Sequence, residues 1–347
     1  MVTIKMVAER CGLSVGAVSK ALNHQPGISP EKAAWVRQVA AEMRYHPNAA
    51  ARTLKTSRSK NIGIIFENRL IHEFFSEVLE AVRACLTEKN YDMTFLNSRE
   101  SQGMSYYEHA MQLQCDGVMV VHGRTRGALE ELMNSDIPLV TIDHILYGHT
   151  AVVSDNADSF RKIIPYLVQM GHRRIAMVHG EDGDVTRLRV AGFHNACREC
   201  GLEIPEEYVL EARYHEPKDS GLATRKLLAL KEPPTCILYP DDISILGGTT
   251  EIERQGLSVP EDICCFGYDG NRLSRLLRPS LATYRQNTER MGRVAAEELI
   301  QAIEDTKCYI PRIITVEGAV QPGDSVRQWD RGGKSGEERQ DHELSKE

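Results

Sequence analysis

"TIKMVAERCGLSVGAVSKALN" (residues 3–23) decides how the first part of this chain is read. Thr3 stands where a capping side chain is wanted. Ile4, Val7 and Ala8 recur on one face, and Gly12 stops the run, which predicts a helix over about 4–11. Ser14 repeats the signal ahead of a second run that ends near Leu22, with Val18, Ala21 and Leu22 facing inward. Two short helices joined by a tight Gly-containing turn match the helix-turn-helix unit, whose second helix enters the major groove of DNA. "NHQPG" then breaks the chain. Ser29, with Pro30 at the first helical position, opens a third helix whose apolar stripe is Trp35, Val36, Val39, Ala40 and Met43, and "YHPN" ends it.

The rhythm changes at residue 61. Strand-like apolar runs recur: "NIGIIF" (61–66), "DMTFLN" (92–97), "GVMVVH" (117–122), "PLVTID" (138–143), "RIAMVHG" (174–180), "CILYP" (236–240) and "ICCFGYD" (263–269). Amphipathic stretches such as Phe75–Lys89 and Ser159–Met170 lie between them. Strands alternating with helices predict parallel sheets covered on both faces, and the length suits two of them side by side. Ligands of open α/β sheets bind beyond the carboxyl ends of the strands. Asp143, Asp241, Asp242 and Asp269 all fall at such ends. After about residue 327 the apolar pattern stops. "RQWDRGGKSGEERQDHELSKE" is charged and without periodicity, so the tail is read as disordered, and it lacks the leucine heptads of a coiled-coil segment.

Charge separates the same two regions. The first 60 residues carry ten Lys and Arg against three Glu, a net +7, while the remainder carries 32 basic against 46 acidic residues, a net −14. A basic head on an acidic body implies that the head alone meets a polyanion. The composition, 41% hydrophobic and 26% charged, is that of a globular protein. No apolar run reaches the ~18 residues of a membrane span, and the N-terminus has no apolar signal core, so a cytoplasmic location is expected. Nine cysteines are scattered. Cys197 and Cys200 form a lone C-x-x-C and Cys264 and Cys265 are adjacent, without the second ligand pair of a zinc site, so reduced structural thiols are expected and no metal.

Six stretches together resemble the lactose/galactose-repressor family of bacterial transcriptional regulators: residues 3–23, "YHPNAAARTLKT" (45–56), "MGHRRIAMVHG" (170–180), "RVAGF" (189–193), "GLSVPEDICCFGYD" (256–269) and "RPSLATYRQ" (278–286). Their order and spacing cover nearly the whole chain up to about residue 325. The resemblance implies a small all-α headpiece over 1–46 and a hinge over 47–60. It further implies a periplasmic-binding-protein-like core over 61–327 of two doubly wound parallel-sheet subdomains, about 61–155 plus 288–314 and about 156–287 plus 315–327, with a tail over 328–347. It implies a homodimer on a roughly palindromic operator, since symmetric DNA mirrors a symmetric protein.

The resemblance also assigns residues. Ser14, Ser19 and Asn23 match positions that contact phosphates, and Val15, Gly16 and Lys20 match positions that face bases. The chain departs from the family here: Gly16 has no side chain, Ala17 replaces a threonine phosphate contact, and Lys20 replaces an arginine, turning a bidentate guanine contact into a single point. In "AARTLKTSRSK" (50–60), Leu54 matches a leucine that wedges into the central base step from a hinge helix in the minor groove, with Arg52 and Lys55 at nearby phosphates. "HEFF" (72–75) stands where the family carries Asn-Pro-Phe-Phe. Phe74 matches a ring-stacking position, and Asp143, Arg189, Asp241 and Asp269 match polar ligand contacts. Carboxylates beside an arginine suit a polyhydroxylated effector, a sugar or glycoside rather than a nucleobase. Asp242 is read as bracing its loop or capping the next helix.

The expected function is a ligand-responsive repressor without cofactor or catalytic residues. Two alternatives share the α/β framework, an enzyme and a solute-binding protein. The sequence contains no G-x-G-x-x-G opening a helix, no P-loop, no H-E-x-x-H and no G-x-S-x-G. The basic head argues against the solute-binding protein.

Overall fold

The computed structural model describes residues 2–23, 25–45, 58–67, 73–97, 104–122 and 126–329. Arg52, Leu54 and Lys55, and all but the first two residues of the expected tail, lie outside the described residues. The chain divides into two compact units, 1–60 and 61–347.

Among the described residues of the first unit, three helices form where the caps are. The Thr3 hydroxyl accepts from Met6 N ahead of α1 (Ile4–Cys11), and Gly12 ends it at φ 65°, a conformation that a side chain disfavours. Ser14 accepts from Ala17 N to open α2 (Val15–Leu22). Ser29 accepts from Lys32 N to open α3 (Pro30–Glu42). Val7, Ala8, Val18, Ala21, Val36 and Val39 meet in a small core. One expectation fails: Trp35 is 49% exposed, and Ala33 takes its place in the buried stripe with Val36, Val39 and Ala40. Helical spacing explains it, because 33, 36 and 40 share a face that 35 does not.

The second unit contains two parallel-sheet layers, six strands each. The first sheet holds β1 (Asn61–Phe66), β2 (Asp92–Leu96), β3 (Gly117–His122), β4 (Leu139–Ile142) and β5 (Thr150–Ser154). Between them lie α4 (Glu73–Glu88), α5 (Tyr106–Gln112) and α6 (Arg126–Met133). After α7 (Phe160–Gln169) the second sheet takes β6 (Ile175–His179), β7 (Val209–Glu211), β8 (Cys236–Leu238), β9 (Cys264–Asp269) and β10 (Ala282–Arg285). Its helices are α8 (Asp184–Glu199), α9 (Pro217–Leu228), α10 (Ile245–Arg254) and α11 (Arg272–Leu276). The chain then returns through α12 (Thr288–Glu304), which packs on α4, to β11 (Ile313–Val316) at the edge of the first sheet, and ends in β12 (Ala319–Gln321) at the edge of the second. The strand orders are β11-β5-β4-β3-β1-β2 and β12-β10-β9-β8-β6-β7. Among the described residues only β12 pairs antiparallel, against β10.

This is the expected class, a helical headpiece and two doubly wound α/β layers. Two details differ. Five strands escape the sequence reading, β5, β7 and β10–β12, because each is three to five residues long and carries polar residues in place of a continuous apolar run. The last passage between layers, expected at 314–315, comes at Glu317–Gly318, because β11 pairs with β5 as far as Val316. Among the described residues three crossovers therefore join the layers: 155–159, 286–287 and 317–318.

Candidate functional site

Two surfaces follow from the sequence, and each is built differently. On α2, Val18 and Ala21 face the core while Ser14, Val15, Gly16, Lys20 and Asn23 are exposed and Ala17 and Ser19 half-buried. Val15 is 43% exposed, a large exposure for a branched apolar side chain. The Ser14 hydroxyl is engaged as the cap, 3.2 Å from Ala17 N. Asn23 Nδ2 donates to Ser19 O at 2.8 Å and reaches Ser19 Oγ at 3.4 Å, closing the C-terminal end. Arg37 from α3 donates to Ala21 O, so the helix is held at both ends by side chains. Lys20 lies along the turn at Gly27, where an added Cβ would stand 3.2 Å from its Nζ.

The second surface lies at the carboxyl ends of the strands. Asp143 follows β4 and Asp269 ends β9, one from each sheet, and both hold left-handed backbone at φ 64° and 102°. Non-glycine residues adopt that region at a cost of about 1–3 kcal/mol, and such strain gathers at binding loops. Burial pushes the Asp143 carboxyl up to about 6, against a pull downward from Arg189. Burial pushes Asp269 well above the usual carboxylate range, with Arg189 again opposing. Arg189, on α8, is the cation facing both. Its guanidinium lies 3.6 Å from the centre of the Tyr268 ring, donates through Nε to Asn156 Oδ1 at 2.9 Å and through Nη1 to Pro240 O at 3.1 Å. Burial works against its charge, but Tyr268, Tyr214, Asp269 and Asp143 together raise its pKa. A void of about 10 Å³, the size of one water, lies beneath it against Phe160, His179, Tyr214 and Tyr268.

Several acceptor atoms around this cleft are buried without a hydrogen-bond partner. Asp143 Oδ1 and Gln286 Oε1 are among them. Gln286 is 3% exposed, and its orientation is fixed because Nε2 donates to Asp269 Oδ1 at 2.7 Å. A buried acceptor left empty costs about 1–3 kcal/mol, so these oxygens call for a donor-bearing ligand.

The remaining expected contacts separate. Phe74, in the first turn of α4, is buried at 4% and packs edge-on against Phe75 at 5.0 Å, inside the core of the first sheet. Asp241, expected as a ligand contact, has its carboxylate engaged by the protein instead. Its Oδ1 accepts from Ile243 N and Ser244 N, and its Oδ2 from Ser244 Oγ and His215 N. Four donors fill its acceptor capacity. Asp242 braces as read: its carboxylate accepts from Thr283 Oγ1 and Asn271 N. Tyr214, Tyr268, Asn156 and Gln286 were not singled out by the sequence. Tyr268 and Gln286 stand beside motif residues in "GYD" and "YRQ", whereas Asn156 and Tyr214 left no local signal.

No group of three His, Cys, Asp or Glu able to hold a metal occurs among the described residues, and no helix among them is long and apolar enough to cross a membrane. Cys197 and Cys200 are free, and burial pushes the Cys197 thiol up to about 12.

Comparison with known proteins identifies the family. The model for bacterial regulatory proteins of the lacI family matches residues 3–48, and that for a periplasmic binding protein-like domain matches 164–326. The HTH-type transcriptional repressor PurR of Pasteurella multocida (strain Pm70) is 31% identical over 315 residues, 88% of this chain and 93% of that protein. Its counterpart in Pectobacterium carotovorum subsp. carotovorum (strain PC1) is 32% identical over 311 residues, 87% of this chain and 91% of that one. Among solved structures, the lac repressor dimer bound to operator and the anti-inducer ONPF superposes with a TM-score of 0.77 at 21% identity, covering 94% of this chain and 99% of that one. The transcriptional regulator CelR–cellobiose complex gives 0.68 at 23%, covering 94% and 100%. At such identities the structures speak to the fold alone. The relatives above 30% identity extend over nearly the whole chain, which therefore belongs to the lacI family of bacterial regulatory proteins: a ligand-responsive, DNA-binding transcriptional repressor, not an enzyme.

Proposed function

We propose that this repressor works in the cytoplasm as a homodimer on a palindromic operator, with a sugar or glycoside as the effector that controls its affinity. The headpiece over 1–46 would read the operator through Val15, Gly16 and Lys20, with Ser14, Ala17, Ser19 and Asn23 along the phosphates. The segment 47–60 would supply Leu54 to the central base step and Arg52 and Lys55 to the backbone. The two subdomains of the core would hold the effector between Asp143 and Asp269, with Arg189 as the cationic fork. Phe74, expected as a stacking ring, would back the site from the core of the first sheet, and Asp241 would serve by shaping the loop.

The observation that carries the effector class is the set of empty acceptors. Asp143 Oδ1 and Gln286 Oε1 wait for donors, and hydroxyl groups supply donors in number. Two rings that could stack on a flat base are engaged by the protein: Tyr268 is covered by Arg189 at 3.6 Å, and Phe74 is buried beside Phe75. The reading is tested by melting the full chain with matched panels of sugars, glycosides and purine bases, then repeating the active compound on Asp143→Asn. A sugar that stabilises the wild type and loses at least about tenfold in affinity with Asp143→Asn supports it. Stabilisation by purine bases alone contradicts it.

A further inference from the structure

The three crossovers that join the two layers are tied to one another by a single network centred on buried Asp155 and Tyr284. Asp155, in the first crossover, is 3% exposed. Its Oδ2 accepts from Tyr284 Oη at 2.6 Å and from Lys162 Nζ at 3.2 Å, and its Oδ1 from Gly318 N at 3.3 Å. Tyr284, fully buried in β10, is one residue from the end of the strand that leads into the second crossover. Gly318 is the third crossover, and its N–H also reaches Tyr284 Oη at 3.1 Å. Lys162, in the first turn of α7, donates to Gly318 O at 3.0 Å and to Glu317 Oε2 at 3.0 Å. Gly318 is required by this closeness, because an added Cβ would stand 2.4 Å from Arg285 O and 2.6 Å from the Tyr284 ring.

The network is continuous with the cleft at two points. Asn156, the residue after Asp155 and itself 3% exposed, accepts from Arg189 Nε at 2.9 Å. Gln286, in the second crossover, donates to Asp269 through both its side chain, at 2.7 Å, and its backbone N–H, at 3.1 Å. Tyr268, beneath Arg189, donates to Ser159 Oγ at 3.1 Å, and Ser159 Oγ donates on to Asn156 O at 2.9 Å. Hinge residues are the few positions that absorb the backbone change when two layers rotate. Here those positions are the ones bonded to the arginine and the carboxylate of the cleft.

We propose that Asp155, Lys162 and Tyr284 form a pin through the three crossovers, and that Asn156 and Gln286 are positioning residues that make the angle between the layers depend on Arg189 and Asp269. A ligand that draws the guanidinium or the Asp269 carboxylate toward itself shifts Asn156 or Gln286 and so biases the pin. Coupling of two sites needs a shared element with two arrangements, and the pinned crossovers supply it. The inference rests on the cleft being the effector site, but its test requires no effector.

The experiment measures the distance between the layers in the full chain. Spin labels are carried on non-natural residues at Met111 in α5 and Leu222 in α9, both exposed, so that the native cysteines stay untouched. Labelled protein is diluted into unlabelled protein to remove distances between copies. The wild type is expected to give one narrow distribution. Tyr284→Phe and Lys162→Met should each raise the displaced population by about tenfold, the effect of losing one hydrogen bond to a charged group, and Lys162→Arg should restore the narrow peak. Lys162 is partly exposed, so its variant keeps the test open if Tyr284→Phe fails to fold. Arg189→Met should also broaden the distribution, and the double variant Arg189→Met/Tyr284→Phe should be no more open than the stronger single one, because both act through one linkage. Unchanged distributions with only a lowered melting temperature would make the network a packing feature and overturn the pin. Fully additive shifts would overturn its coupling to the cleft. A failure of the sugar titrations would touch the effector reading alone.

Discussion

β8 and β9 pair side by side, the end of each is marked by an aspartate that the sequence reads as a ligand contact, and the two meet opposite fates. Asp241 is surrounded by donors from its own loop and from His215, whereas Asp269 sits on strained backbone with one donor from Gln286 and a cation nearby. The same contrast separates Asp242 from Asp143. What distinguishes a carboxylate that holds the protein from one that waits for a ligand is the number of donors already aimed at it, together with the backbone strain accepted to present it. Sequence position, at the end of a strand, does not make that distinction.

The largest expected effect tests the bracing side. Asp241→Ala strips two backbone N–H groups, a hydroxyl and the His215 N–H of their acceptor, and should cost about 3–4 kcal/mol in chemical denaturation. A cost below about 1 kcal/mol would return Asp241 to the ligand side of the contrast. Arg189→Met comes next. It removes the cation shared by Asp143 and Asp269 and should weaken effector binding by roughly a hundredfold in calorimetry, a charge-assisted bond or two. Equal binding by wild type and variant would remove Arg189 from the site.

A smaller effect separates the waiting carboxylates by pH. The Asp143 carboxyl, pushed by burial to about 6, has a folded pKa above its unfolded one, so the fold favours its protonated form. That contribution is fully present below about pH 4 and is lost as the pH rises through about 6. Asp143→Asn should therefore match the wild type near pH 4 and exceed it by about 1–2 kcal/mol at pH 7.5, the cleft's water reducing the full linkage. A variant less stable than wild type at pH 7.5 would mean that the carboxylate is already satisfied. The smallest effect falls on the headpiece, where Ser14→Ala should cost about 1 kcal/mol of stability in that unit.

The headpiece was legible because its determinants are local: Thr3, Ser14 and Ser29 each cap within three residues of themselves. Trp35 was misplaced for the same reason that the rest succeeded, since hydrophobicity marks a stripe and only the helical angle decides which member faces the core. The α/β layers were legible from alternation, and their shortest strands were not. Of the residues around the cleft, Arg189 and Asp269 stand in quoted motifs and Asp143 at a strand end, so each carries a sequence signal. Asn156 and Tyr214 were not, because their roles exist only in relation to Arg189, which lies 33 residues from Asn156. The contacts that link the crossovers span up to 163 residues, and no period or cap announces them.

The central claim is that a DNA-binding headpiece answers to a small molecule held by the core. Its most direct test is fluorescence anisotropy of the purified full chain on a pool of palindromic duplexes at two salt concentrations, with and without the sugar that stabilises it in melting. Enrichment of one symmetric site is expected, with affinity falling steeply as salt rises because phosphate contacts release counterions and shifting about tenfold or more when the sugar is added. Binding that ignores the sugar, or no duplex bound in either condition, would contradict the claim.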